Sequence, residues 1–97
     1  MPNSHSRLTD SERRLLDNVL DCLDRLFDNE TKVIDVHALL IATHAALTGS
    51  PHEHVLENAE SQLAAICRSA SGQERQYDDA LSATDELRKY LARILPS

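Results

Sequence analysis

The chain has 97 residues and a mass of 10.8 kDa, enough for one core and too little for two, because a separate core is hard to close below about 50 residues per unit. Apolar residues make up 41% and charged residues 27%, with two glycines and three prolines, a balance that excludes disorder throughout, a collagen-like repeat or a sandwich of tight turns. Sixteen acids against ten bases leave a formal net charge of −6, which argues against nucleic acid as a direct ligand, since phosphate binding needs clustered Lys and Arg, and points to a basic partner.

The opening residues MPNSHSR are polar with an early proline, so a flexible tail is expected over 1–8 and a single helical domain over 9–97. Nothing there has the apolar stretch of a signal peptide, and no run approaches the roughly 18 apolar residues of a membrane span. The expectation is a cytoplasmic protein that does not enter a membrane. Thr9 and Glu12 give T-x-x-E, the reciprocal box that satisfies two orphan amides at a helix start. Leu15, Leu16, Val19, Leu20, Leu23, Leu26 and Phe27 then recur at three- and four-residue spacings, which predicts a first helix to about Asp28 with all seven facing inward.

Asp28 and Asn29 are turn formers, and residues 28–34 show no period, so they read as a connection. Asp35 is then the expected N-cap of a second helix, Val36 to Leu47, with Ile34 and Leu39 at the spacing of a hydrophobic staple and Gly49 just past the end. That helix is apolar almost all round, which places it centrally against the others. Ser50, Pro51 and Glu53 combine a capping box with a proline at the first helical position and open a third helix. It carries Val55, Leu56, Ala59, Leu63, Ile66, Cys67 and Ala70 inward and stops near Ser71 and Gly72. Ser71 to Glu74 is a further S-x-x-E box, and Tyr77, Leu81, Thr84, Leu87, Leu91 and Ile94 continue at helical spacing until Pro96. No segment alternates with period two, so no strand is expected. Short connections favour antiparallel neighbours, and the expected fold is all-α: a single four-helix bundle, up-and-down or related to it.

Catalytic signatures are sparse. The sequence has no nucleophile elbow, Walker loop, dinucleotide fingerprint or paired C-x-x-C, and two glycines are too few for a phosphate cradle. No enzyme activity, catalytic residue or cofactor is expected. Cys22 and Cys67 fall among inward positions of separate helices and read as buried free thiols, since a disulfide needs an oxidising compartment. His52 and His54 stand two apart, pointing about 200° away from each other on a helix, and His37 and His44 lie two turns apart. Neither pair makes a metal site alone, and hydrogen-bonded histidines are the expectation.

The acids are unevenly placed. Residues 15–60 hold nine acids against Arg25 and Lys32, whereas residues 61–97 balance five with five. Asp17, Asp21, Asp24 and Asp28 fall at i, i+4, i+7 and i+11 on one face of the first helix, where like charges disfavour the helix by a few tenths of a kcal/mol per pair. Such a row serves either as an ordinary solvated face or as a rigid surface for a basic cleft.

The segment LDRLFDNETKVIDVHALLIATHAAL, Leu23 to Leu47, resembles the helix, acidic turn and helix of small immunity proteins of bacterial toxin systems, including contact-dependent growth inhibition and colicin-like immunity families. The remainder resembles them only in length, acidity and helical character. The resemblance implies a cytoplasmic, non-enzymatic protein made beside a secreted toxin and binding tightly to that toxin's C-terminal domain, often a nuclease. Nuclease domains hold phosphate with basic side chains, so an acidic inhibitor suits them electrostatically.

The first expectation is therefore a monomeric immunity protein whose partner contacts come from Asp17, Asp21, Asp24, Asp28, Glu30 and Asp35, with His52, Glu53 and Glu57 as second candidates. A helical regulator or adaptor is the alternative, dimeric or docking a partner helix through Leu87, Leu91, Ile94 and Leu95. A histidine-based metal or small-ligand site in the bundle core is a third.

Overall fold

Thr9 caps the first helix as its spacing with Glu12 requires: the Glu12 amide donates to the Thr9 hydroxyl and the Thr9 amide to the Glu12 carboxylate, both at 3.0 Å. The computed structural model describes residues 8–70 and 72–95, and they form α1 (Asp10–Phe27), α2 (Val33–Ala46), α3 (Glu53–Arg68) and α4 (Gln73–Ile94). The expected tail lies outside the described residues except for Leu8, as do Ser71 of the last capping box and Pro96. Each helix packs on the next, and α4 returns against α1. The result is a four-helix bundle in which α2 and α4 also meet across the middle, while α1 and α3 stay apart on the other diagonal.

The core is nearly all aliphatic. Leu16, Val19, Leu23 and Leu26 of α1 face Val36 and Leu40 of α2, Leu56 and Leu63 of α3, and Leu87 and Leu91 of α4, each at most 1% exposed. Ala59 and Ala80 fill closer approaches, and Leu47 and Leu95 extend the core beyond α2 and α4. Burying each leucine stabilises the fold by about 1.5–3 kcal/mol before conformational entropy is charged against it.

The end of α1 explains the turn. Asn29 takes a left-handed φ of 61°, its amide donates to Leu26 O, and the Glu30 amide donates to Arg25 O at 2.7 Å. These are the paired bonds of a Schellman stop, with asparagine at the position that favours a left-handed residue.

Several boundaries differ from expectation. Lys32, not Asp35, is the N-cap of α2, and the helix begins at Val33, because Val33 packs against the core and is drawn into the first turn. Asp35 sits at the third helical position, where its charge still suits the helix dipole. The Ser50 box is displaced too: Ser50 Oγ accepts from the His52 amide at 3.2 Å, Glu53 accepts from the Gly49 amide at 3.0 Å, and α3 starts at Glu53. Gly49 supports that turn with a φ of 87°. Helix α3 stops at Arg68, so Ala70 lies outside it and is exposed. Gly72 caps α4 without a side-chain bond.

Helix α2 is not enclosed by its neighbours. Only Val36, Leu40 and Thr43 are buried within it, and Ile34 and Ile41 are 61% and 45% exposed. Phe27, expected inward, is 56% exposed because it ends α1 on the flank of the stripe, where the Arg88 guanidinium lies 4.8 Å from its ring centre. Cys22 and Cys67 are half-buried free thiols, and Cys22 packs against the core. No described helix is long and apolar enough to cross a membrane.

Candidate functional site

Helix periodicity sets Asp17, Asp21, Asp24 and Asp28 on one side of α1, and all four are exposed. They are not equally available. Asp21 pairs with Arg25 one turn on, 3.1 Å between Oδ2 and Nε, and Asp24 pairs across the bundle with Arg88 of α4 at 2.9 Å. Arg88 thereby holds Asp24 and covers Phe27 together. Asp17, Asp28, Glu30 and Asp35 are exposed and make no ion pair among the described residues. The unneutralised charge of this region thus begins on α1 and continues over the turn onto the first turn of α2. Tyr77 fixes that turn from the other side, its hydroxyl donating to Phe27 O at 2.9 Å.

The second group of candidates divides. His52 is only 7% exposed, and its Nδ1 lies 2.7 Å from the Tyr90 hydroxyl. It is a structural histidine bridging the start of α3 to α4, so it is withdrawn as a partner contact. Glu57 stands exposed on α3, while Glu53 is half-buried between the Gly49 amide and His44. The adaptor surface is withdrawn on the same ground: Leu87, Leu91 and Leu95 are core and Ile94 is half-buried against it.

A cluster that the spacing alone did not reveal lies on the α2–α3 seam. His44 Nδ1 is 2.6 Å from Glu60 Oε1 and its Nε2 is 3.5 Å from Glu53 Oε2. The hydrogen bond to Glu60 raises the His44 pKa most, Glu53 adds to it, and partial burial opposes. Glu53 moves the other way: the Gly49 amide lowers it first, burial opposes, and His44 lowers it further. The carboxylates take opposite ring nitrogens, so they do not converge on a shared point. Among the described residues no three His, Cys, Asp or Glu side chains are arranged to hold a metal ion.

The Cys22 thiol is not set up as a nucleophile. Burial pushes the Cys22 thiol up, Arg25 opposes, and Asp21 and Asp35 reinforce the rise, which keeps it protonated. Cys67 lines a half-open cleft of about 270 Å³ with Thr31, Lys32, Ile34, Gln76 and Tyr77, where the α1–α2 and α3–α4 turns meet. No protein-family model, curated protein or solved structure matches the chain.

Proposed function

We propose that this protein is a cytoplasmic immunity protein, a rigid acidic bundle that binds a cognate bacterial toxin domain of basic, nuclease-like chemistry and neutralises it without catalysis. One observation carries the reading: Asp17, Asp28, Glu30 and Asp35 are exposed and unpaired among the described residues, on the middle of α1, its C-cap, the bonded turn and the start of α2. Charges held this way need little reordering when a partner binds, which reduces the entropic cost of association. They also steer a basic domain into encounter and set its orientation. The resemblance of Leu23 to Leu47 to immunity proteins supports the same assignment. Asp21 and Asp24 contribute less, since each already has an intramolecular cation.

Co-expression with the C-terminal domain encoded immediately upstream tests the proposal. Rescue of growth together with co-purification of the two chains is the expected result. Toxicity that persists in the presence of this chain, without a recoverable complex, contradicts it.

A further inference from the structure

The outward side of α2 is apolar along its length but for Asp35 at its edge. Ile34 and Ile41 are the exposed large residues of this helix, and Ala38, Ala42 and Ala45 beside them are exposed as well. Ile34, Ala38, Ile41 and Ala45 follow at i, i+4, i+7 and i+11, so they make one ridge about 16 Å long. The bundle leaves this ridge uncovered, because the opposite side of α2 already supplies Val36, Leu40 and Thr43 to the core.

Acidic side chains flank one end of the ridge. Glu53, Glu57 and Glu60 of α3 follow at i, i+4 and i+7 and share a face. His44, three residues after Ile41, reaches both Glu53 and Glu60, which sets this acidic row beside the Ile41–Ala45 end of the ridge, while Ile34 at the other end lines the cleft with Lys32 and Cys67. Glu57 lies between the two and is largely exposed.

We propose that the outer face of α2 and α3 is a docking surface for a basic amphipathic helix of a partner protein. The apolar side of that helix covers Ile34 and Ile41, and its Lys or Arg edge meets Glu53, Glu57 and Glu60. Ala38 and Ala45 let its backbone come close, toward the lower end of the roughly 8–10 Å range of packed helices. Charge selects this occupant. A second copy brings another net charge of −6, and a two-fold antiparallel pairing through α2 sets one glutamate row against the other. A wholly apolar helix offers no partner in a drier interface to Glu57, whose ion-pair contact among the described residues is His54 at 4.0 Å. The proposal rests on reading the chain as a binding protein, and it depends on neither the toxin's identity nor the α1 acids.

The test is titration of the full ¹⁵N-labelled chain with a synthetic Leu and Lys peptide of amphipathic helical spacing. Saturable shifts are expected at the amides of Ile34, Ile41, Ala45 and Glu57. Ile41→Asp and Ile34→Asp should each weaken binding by about tenfold or more, the loss of a central apolar anchor. Both sites are exposed, and unchanged circular dichroism verifies that the variants fold. Glu57→Lys should weaken binding several-fold, with Asp17→Lys and Asp28→Lys remaining within about twofold of the parent. Shifts centred on α1, or parent-like affinity of both isoleucine variants, overturn the proposal. So does sedimentation of the parent as a dimer that Ile41→Asp dissociates, which assigns the ridge to a second copy. Rescue from the toxin without peptide binding overturns this proposal alone; peptide binding without rescue overturns only the immunity reading.

Discussion

His44 shows how two carboxylates turn a surface histidine into a pH-dependent clasp between helices. A raised histidine pKa stabilises the folded chain fully below the unfolded value near about 6.5 and loses that contribution as pH rises through the folded value. Glu53, shifted down, stabilises above its unfolded value near about 4.3 and loses its contribution as pH falls through the lower folded value. The denaturation midpoint should therefore peak between those unfolded values and decline as pH rises through the raised His44 value. His44→Gln should flatten the upper limb, and urea titrations across this range check it; an unchanged slope contradicts the role given to the clasp. His52 is a different case, being buried with one partner. Tyr90→Phe leaves its Nδ1 without that partner and should destabilise the fold by about 1–2 kcal/mol, read from the same titrations. Neither pair was readable in the sequence. Their partners lie 16 and 38 residues away, and they meet only because α3 docks against α2 and α4.

At the scale of elements, the local signals around α1 translated well, whereas the Ser50–Glu53 box was displaced into the turn before α3. The Thr9–Glu12 box formed as spaced, and Thr9→Ala should cost about 1 kcal/mol of stability by thermal denaturation. Asp28 and Asn29 marked the end of α1, since turn chemistry needs only neighbours. Signals that compete with core burial translated less well: Asp35 looks like an N-cap, yet Val33 gains more from joining the core than a cap contributes, and α2 starts earlier. Hydrophobicity also overstated the burial of α2, because an all-apolar helix reads alike whether the bundle or a partner covers its outer side. The exposed isoleucines make this measurable. Ile41→Ser should shift stability by no more than about 0.5 kcal/mol, the range of an ordinary surface change. A loss like that of a core isoleucine contradicts the placement of Ile41 on the surface.

The whole molecule is one shared core carrying an uneven surface charge. Leu40 is fully buried on a helix that contacts all three others, so Leu40→Ala should lower stability by about 2–5 kcal/mol in a single cooperative transition. The four-helix architecture was readable because aliphatic stripes and short connections specify it, whereas the distribution of paired and unpaired acids was not, since Arg88 reaches Asp24 across 64 residues. That distribution separates the acids between Asp17 and Asp35: Asp21 and Asp24 are ion-paired within the chain, while Asp17, Asp28, Glu30 and Asp35 are exposed with no ion pair among the described residues. Growth of cells co-expressing the C-terminal domain encoded immediately upstream, the proposed toxin, with the parent chain or with Asp28→Lys and Glu30→Lys combined bears on this most directly. The parent should restore growth and co-purify with the toxin, and the folded charge-reversed variant should bind at least about tenfold more weakly and protect less. A parent that neither protects nor binds contradicts the immunity function, and equal protection and affinity in the variant contradict the acidic turn as its contact surface.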